Sequence, residues 1–220
     1  MKRAHYFHTL ILSFICIFGA SAQDHSIRFQ KGTLTVSPLQ DNAVRIRYIE
    51  GEAAELPEWL YVENDDKVSC KKSSKGDVTT LRLKGLTLTA DNGSGRIEVA
   101  DSRGVKVFSA LAHELKDGTI QGEPTKEARL VIDSPADEYL YGLGQFQDGY
   151  LNVRGLTRRL TQVNTQISIP FLLSSKGYGL LWNNYGLTDF NPAESSVKME
   201  RAEAKGEEVT LNVTSTEGNR

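Results

Sequence analysis

Adjacent carboxylates are the residues of this sequence whose types and spacing first suggest acid–base chemistry. Asp65-Asp66 and Glu207-Glu208 are sequence neighbours, and Asp133 and Asp137 flank a proline turn. Side chains of neighbouring residues on a strand point to opposite faces, so an adjacent pair cannot converge on one substrate atom. We expect each of these carboxylates to be a solvated surface or turn charge, and we assign no catalytic residue to this chain.

Histidine and cysteine add few chemical possibilities. Outside the first 22 residues the histidines are His25 and His113, and Cys70 has no cysteine to pair with. A lone cysteine without neighbouring ligands fits neither an internal disulfide nor a zinc site, so we expect no metal. His113-Glu114 is the histidine–carboxylate neighbour that an acid–base pair would need, but Ala110–Leu115 also fits an ordinary strand end.

The N-terminus has the layout of a secretory signal peptide. A basic start (Lys2, Arg3) precedes an apolar run of ten residues, LILSFICIFG, and the small residues Ala20-Ser21-Ala22 follow. This order predicts cleavage after residue 22 and an exported protein, periplasmic or extracellular. The run is shorter than the roughly 20 residues of a membrane span. Residues 23–220 then form one domain.

Charge and composition exclude one large class of partner. The formal net charge is −2, with basic and acidic residues interspersed along the chain. A nucleic-acid-binding domain would carry a basic patch, so we expect no nucleic-acid partner.

Short strands are the secondary structure that the hydrophobic pattern predicts. Val44–Ile49 alternates apolar and polar residues, and Asp91-Asn-Gly-Ser-Gly95 is a strong hairpin signal between two such runs. No amphipathic helix of three turns is evident, which favours an all-β antiparallel sandwich. The predicted strands are Thr33–Val36, Val44–Ile49, Val78–Leu83, Leu86–Ala90, Arg96–Ala100, Val105–Phe108, Ala128–Ile132, Gln166–Leu173, Tyr178–Trp182 and Val209–Val213.

Two polar stretches lack this alternation. Asp117–Glu127 is predicted to be a loop. Gln145–Gln162 is a second non-periodic stretch, rich in Gly, Arg, Gln and Asn. A long loop in a compact domain is usually functional or disordered. We expect Pro170 on an edge strand or at a strand's first residue, because proline cannot donate to a central ladder.

An ordered set of short motifs lies between residues 138 and 190. It consists of Tyr141-Gly-Leu-Gly-Gln145, Arg154-Gly155, Ile169-Pro-Phe171 and Ser174-Ser-Lys-Gly-Tyr-Gly179 with Leu181-Trp182. This order resembles the N-terminal β-sandwich of family 31 glycoside hydrolases. The details Gln147–Gly149, Asn152–Gly155 and Gln162–Thr165 look most like bacterial α-xylosidases of that family, with α-glucosidases second. Within the motifs, Gly142, Gly144, Gly177 and Gly179 are expected to shape the backbone rather than to contact a ligand.

The resemblance implies a galactose-mutarotase-like supersandwich, followed in the same polypeptide by a catalytic (β/α)8 barrel. It also implies a loop that leans over the barrel mouth, and Gln145–Asn164 is the segment that matches. Sugar recognition needs hydrogen-bonding groups and an aromatic face, which Phe146 or Tyr150 could supply. The candidate substrate-binding residues are Gln145, Asp148, Asn152, Arg154, Gln162 and Asn164. The alternative is that these side chains satisfy the loop's own backbone.

The implied chemistry is retaining hydrolysis of an oligosaccharide by two carboxylates about 5 Å apart. In the family both are aspartates of the barrel, and no position in residues 1–220 corresponds to them. We therefore expect this chain alone to be inactive, and the reaction to need no cofactor.

Three other functions compete with this interpretation. A stand-alone carbohydrate-binding module would use Trp59 or Trp182 as a sugar platform, although the Leu-Leu-Trp context favours a core position for Trp182. A mutarotase would use the His113-Glu114 pair. A structural envelope protein has no specific support. Asn92 and Asn212 form glycosylation sequons, but a turn and a strand surface explain them better.

Overall fold

The computed structural model describes residues 24–52, 60, 68–184, 186–191, 197–200 and 212–215. The predicted signal peptide, Trp59, Asp65-Asp66 and Glu207-Glu208 lie outside these ranges. Within them the chain forms strands and turns without a helix, which confirms the predicted all-β antiparallel class. No helix long and apolar enough to cross a membrane occurs in the described residues.

Sixteen strands occur in the described residues. They are β1 (His25–Phe29), β2 (Gly32–Gln40), β3 (Ala43–Ile49), β4 (Lys71–Lys75), β5 (Val78–Arg82), β6 (Leu86–Asp91), β7 (Arg96–Asp101), β8 (Lys106–Ile120), β9 (Glu123–Ile132), β10 (Leu140–Gln145), β11 (Arg158–Leu160), β12 (Ile167–Ser174), β13 (Gly179–Leu181), β14 (Thr188–Phe190), β15 (Val197–Glu200) and β16 (Asn212–Ser215).

The described residues between 24 and 132 form a two-layer unit, which we call the sandwich. One layer is the three-stranded sheet β1-β2-β3, and the other is a six-stranded meander from β4 to β9 in sequence order. The predicted hairpin between β6 and β7 is confirmed. Its turn is closed by a hydrogen bond from Gly95 N to Asp91 O of 2.8 Å, and the Asp91 carboxylate accepts from Gly93 N at 2.9 Å.

The apolar faces of the two layers meet in one core. From the first sheet come Phe29, Leu34 and Val36, and from the meander come Leu81 and Leu88, all essentially inaccessible to solvent. The alternating pattern of these strands places one apolar face inside and one polar face outside. The sandwich is therefore closed by its own residues.

The prediction that Asp117–Glu127 is a loop is wrong. It belongs to the long hairpin of β8 and β9, in which Lys116 pairs with Glu127 and Ile120 pairs with Glu123. The tight turn is Gln121-Gly122, with φ of 52° and 87°, and two successive positive φ values are typical of a type I′ hairpin. Both faces of residues 117–127 are largely exposed, so their sequence lacks the alternation on which the prediction depended. An ion pair between Asp117 and Lys126 joins the strands.

Residues 138–191 form a second unit, which we call the motif unit because it carries the recognised motifs. Its sheet order is β10-β12-β13, with the two-stranded sheet β11-β14 beside it. A smaller core of Leu140, Leu143, Val153 and Leu172 holds it together. The units touch where the Tyr178 ring meets Phe108 edge to face, with centroids 5.3 Å apart.

The prediction for Pro170 is wrong. It lies in the middle of β12, the central strand of its sheet, rather than at an edge or a strand start. The register between β10 and β12 shifts between the pairs Gly142–Leu172 and Gly144–Ser168. This irregularity accommodates a residue that has no N–H to donate. The Pro170 carbonyl still accepts from Trp182 N at 2.8 Å.

The last described segments form a separate pair of strands. β15 pairs with β16 from Val197–Ser215 to Glu200–Asn212. The predicted strand Val209–Val213 overlaps β16 only at residues 212 and 213, since β16 continues to Ser215 and residues 209–211 lie outside the described ranges. Trp182, expected in the core, is half-buried and belongs to neither core cluster.

Candidate functional site

The backbone around Gly142 and Gly144 aims the start of the loop. Gly142, Leu143 and Gly144 have φ of 106°, 67° and 102°, three successive left-handed values. A Cβ at Gly144 would overlap the Ile167 carbonyl, and one at Gly142 would overlap that of Phe171. Only glycine fits these two positions without strain, while the turn buries Leu143 in the smaller core. The expected backbone role of these glycines is confirmed.

A buried arginine holds the first part of the loop. The Arg158 side chain is buried, its Nη2 donates to Asp148 Oδ2 at 2.5 Å, and its guanidinium lies 4.1 Å from the centre of the Phe146 ring. Asp148 also accepts from Tyr150 N at 3.2 Å. Asp148 and Phe146, both candidates from the sequence, are thus engaged inside the loop. Tyr150 remains exposed.

Arg154 and Asn152 lie against the backbone rather than toward an open surface. Arg154 donates from Nη2 to the Ser134 carbonyl at 2.9 Å and from Nη1 to the Ala136 carbonyl at 3.2 Å. Asn152 Oδ1 accepts from Leu140 N at 3.1 Å and from Arg154 N at 3.2 Å. These contacts tie the loop to the start of β10 and to the segment that precedes it. Both residues satisfy backbone groups, which was the stated alternative to sugar binding.

Gln145, Gln162 and Asn164 gather at the N-terminal end of β12. Gln145 pairs with Ile167 across the sheet, and Gln162 Oε1 accepts from Ser168 N at 3.1 Å. Asn164 lies in the turn whose ends, Val163 and Gln166, exchange two backbone hydrogen bonds of 3.2 Å. All three side chains are exposed. Of the predicted residues these form one exposed group, whereas Asp148 and Arg154 are held elsewhere in the loop.

Two buried polar groups were missed in the sequence. Arg158 is one, and its signal was the Arg158-Arg159 pair on a short strand, where alternation sends one side chain inward. Glu138 is the other: it is buried, and its Oε1 accepts from the Ser174 hydroxyl. Burial raises the pKa of the Tyr178 phenol, and the hydrogen bond to Glu138 and the negative charge of Glu138 raise it further. These residues anchor the Ser-Ser-Lys-Gly-Tyr motif.

His113 packs as an aromatic ring inside the sandwich. It stacks on Phe29 with centroids 5.0 Å apart and meets Tyr48 edge to face at 4.6 Å. Its Nδ1 is buried without a hydrogen-bond partner among the described residues. Burial lowers the pKa of His113, opposed by the charge of Glu50. His113 lies inside β8 rather than at a strand end, and this packing does not favour the mutarotase alternative.

Several of the described carboxylates pair with cations. Asp137 binds Lys176 Nζ at 2.6 Å, a hydrogen bond that lowers the pKa of its carboxyl, and Asp189 binds Arg159 Nε at 2.8 Å. No group of three His, Cys, Asp or Glu residues that could hold a metal ion occurs in the described ranges. The arrangement offers polar and aromatic contacts for a ligand.

Three known proteins illustrate what the chain is similar to. The α-xylosidase of Saccharolobus solfataricus is 31% identical over 172 residues, which cover 73% of this chain and 23% of that protein. The solved structure of the GH31 α-xylosidase from Xanthomonas citri is 25% identical, covers 81% of this chain and 20% of the other, and has a TM-score of 0.71. That of a GH31 α-xylosidase from a soil metagenome, complexed with xylose, is 26% identical, covers 77% and 28%, and has a TM-score of 0.65.

The chain therefore spans about a quarter of the length of these relatives. Residues 33–191 match the family described as the glycosyl hydrolase 31 N-terminal galactose mutarotase-like domain. The match includes most of the sandwich and the whole motif unit. The resemblance inferred from the motifs is confirmed, and the chain belongs to the N-terminal galactose mutarotase-like domain family of glycoside hydrolase family 31 enzymes.

Proposed function

We propose that this chain is the N-terminal domain of an exported, retaining α-glycosidase, with α-xylosides as the first substrate class and α-glucosides as the second. In this proposal the domain precedes a catalytic barrel in the same polypeptide. The substrate is an oligosaccharide with a terminal α-linked xylose, and the loop Gln145–Asn164 lines part of its pocket.

The observation that carries the substrate assignment is the activity for which the three relatives are named. All three proteins described above are α-xylosidases, and one of them was solved with xylose bound. The loop details around Gln147–Thr165, on which the sequence resemblance to α-xylosidases depended, lie within the matched residues 33–191. Family membership therefore supports the glycosidase class, and the loop supports the choice within it.

The geometry of the loop refines which residues would meet the sugar. Arg154 and Asp148 have partners within the domain, at the Ser134 carbonyl and at Arg158. Gln145, Gln162 and Asn164 are exposed, with Gln162 Oε1 accepting from Ser168 N, and Tyr150 offers an exposed ring. Amide side chains both donate to and accept from hydroxyls, which suits a sugar. We assign the sugar contacts to this exposed group.

The catalytic acid and nucleophile would be supplied by the remainder of the longer polypeptide. Retention requires two carboxyl groups about 5 Å apart across the scissile bond. The domain would restrict entry to the pocket and exclude water around the terminal sugar. Export follows from the predicted signal peptide, and N-terminal sequencing of the secreted protein should begin at Gln23.

The decisive experiment compares two polypeptides on p-nitrophenyl α-xyloside and α-glucoside. The longer polypeptide should cleave, with the xyloside preferred, and this chain alone should not. Proton NMR of the first product should show the α-anomer. Cleavage by this chain alone would sink the assignment of catalysis to another domain. Sugar binding without hydrolysis by either polypeptide would instead support a carbohydrate-binding module.

A substitution tests the contribution of the loop. Gln145→Ala in the longer polypeptide should lower kcat/KM at least about tenfold, the equivalent of one lost hydrogen bond of about 1–3 kcal/mol. Gln40→Ala is the matched control, since Gln40 is the exposed last residue of β2 just as Gln145 is the exposed last residue of β10. Equal kinetics for both variants would remove Gln145 from the pocket.

A further inference from the structure

A buried positive charge lies against the first part of the loop. The Arg158 side chain is only 5% exposed. It contacts two loop residues at once, because Nη2 donates to Asp148 Oδ2 at 2.5 Å while the guanidinium lies 4.1 Å from the centre of the Phe146 ring. Its own strand, β11, is fixed by β14, where Arg158 pairs with Phe190. The loop is therefore held by a side chain of a paired strand.

Each contact of Arg158 lies next to a residue that we assign to the sugar. Phe146 directly follows Gln145, and its half-buried ring packs against the smaller core. Asp148 precedes Tyr150 by two positions and accepts a hydrogen bond from its backbone N at 3.2 Å. A side chain that is locked by packing and hydrogen bonds also restricts the backbone of its neighbours. Arg158 thus restrains the backbone on both sides of this short segment.

Stability alone does not account for an arginine at this position. Arg158 Nε is buried and has no hydrogen-bond partner among the described residues. A buried donor without a partner costs free energy, and well-packed apolar side chains can often replace a buried ion pair without loss. Proteins accept such local costs mainly at functional sites. The planar guanidinium stacks on a ring and binds a carboxylate in one fixed geometry, which a methionine cannot do.

We propose that Arg158 is a positioning residue of the sugar-binding group, and that it holds Gln145 through Phe146 and Tyr150 through Asp148. Arg158 itself does not touch the sugar, because its side chain is buried and engaged with the loop. The inference rests on the proposed function for the identity of the ligand, a terminal α-linked xylose. Side chains that are aligned before the sugar arrives spare the binding step the cost of ordering them.

The next residue of β11 provides a matched control. Arg159 is exposed and binds Asp189 through Nε at 2.8 Å, a pair outside the loop. Arg159→Met therefore removes an ion pair from the same strand without releasing Phe146 or Asp148. Arg158→Met releases both and keeps an unbranched side chain in the buried position.

Hydrogen exchange in the longer polypeptide tests the restraint directly. Arg158→Met should accelerate exchange of the backbone amides of residues 145–150 at least about fivefold, because the loop then opens without breaking the contacts of Arg158. The amides of β6 and β7 should keep their rates, which shows that the sandwich remains folded. Arg159→Met should leave the loop unchanged. Equal loop exchange in the Arg158 variant and the unsubstituted polypeptide would overturn the proposal.

Kinetics on p-nitrophenyl α-xyloside show whether the restraint serves the sugar. Arg158→Met should lower kcat/KM at least about fivefold, but less than about twofold when Gln145→Ala and Tyr150→Ala are already present, because residues that act through one another are not additive. A merely structural role would lower kcat/KM by the same factor in both backgrounds, and that result would overturn the proposal. Arg159→Met should leave kcat/KM unchanged in both.

The two measurements separate this proposal from the proposed function. An unsubstituted polypeptide that hydrolyses neither p-nitrophenyl α-xyloside nor the α-glucoside would reject the proposed function, and faster loop exchange in Arg158→Met would still retain Arg158 as the residue that holds the loop. Hydrolysis together with loop exchange that is unaffected by Arg158→Met would retain the glycosidase and overturn the positioning role.

Discussion

The sandwich and the motif unit are both antiparallel, yet they bury their apolar strands differently. In the sandwich, two sheets cover each other and enclose Phe29, Leu34 and Leu88. In the motif unit, the face of β12 that carries Leu172 is buried, whereas the face that carries Phe171 and Leu173 is exposed to solvent. The unit with the most recognisable sequence is thus the one that leaves more of its apolar strand exposed.

The largest expected effect compares two phenylalanines. Phe29→Ala removes a ring with 0% exposure from the sandwich core and should lower the free energy of unfolding by about 3–5 kcal/mol. Phe171→Ala removes a ring that is 40% exposed and should cost about 1 kcal/mol in this chain. Urea denaturation of the two variants measures both values. Equal losses would contradict the view that the two units are closed to different extents.

The second-largest effect tests the turn Gly142–Gly144 in the motif unit. Gly144→Ala combines a φ of 102° with overlap of the Ile167 carbonyl, and should cost about 3 kcal/mol. Gly149→Ala is the control: its φ is 75°, but a Cβ there meets nothing within 4 Å, so about 1 kcal/mol is expected. Thermal unfolding ranks the two. A Gly144 variant no worse than the Gly149 variant would show that the turn relaxes easily.

Several strands of the sandwich were predictable because each has one face toward solvent, whereas β1 and β4 were not predicted. Alternation located Val44–Ile49 and the meander from residue 78 onward, and Asn92-Gly93 located a turn. Residues 117–127 of the β8–β9 hairpin were missed because both of their faces are largely exposed, which removes the alternation while the cross-strand pairing remains. The position of Pro170 was missed because a register shift between two strands cannot be inferred from either strand alone.

The candidate site, too, could be predicted only in part. Residue types and the resemblance located the loop, but partners distant in sequence decided what each side chain does. Arg154 is held by the Ser134 carbonyl, 20 positions earlier, and no local pattern predicts that contact. Gln145 and Asn164 were selected with Arg154 on equal grounds, and only the folded chain shows that the two amides are exposed while the Arg154 guanidinium donates to backbone carbonyls.

A smaller effect concerns the Asp148–Arg158 ion pair, which holds the first part of the loop. Asp148→Ala leaves the buried Arg158 guanidinium without its partner and should cost about 2–3 kcal/mol. Arg158→Met should cost only about 1 kcal/mol, because the partly exposed Asp148 can turn to water. The neighbouring exposed pair is the control, and Asp189→Ala should cost less than about 1 kcal/mol. Chemical denaturation that gives the reverse order for Asp148 and Arg158 would contradict a buried arginine.

The smallest effect is a pH dependence located in the sandwich. Burial lowers the pKa of His113 from its ordinary value of 6.5, so the folded state favours the neutral ring. The unfolded chain then binds more protons as the pH falls below 6.5, and the stability contributed by neutral His113 is lost until its folded pKa is passed. The free energy of unfolding should therefore decrease between pH 7 and pH 5, a window above that of the carboxylates. Urea titrations at several pH values measure this slope.

Two substitutions assign the slope to its source. His113→Phe keeps a ring between Phe29 and Tyr48 and removes the titrating group, so it should flatten the dependence. The pKa of His25 is also lowered, by burial and then by the charge of Lys72, and His25→Gln measures its share of the same sign. The ring of His113 lies between the two sheets, so its protonation places a positive charge where the sheets pack together. A slope that survives in both variants would mean that groups outside the sandwich core control its stability near neutral pH.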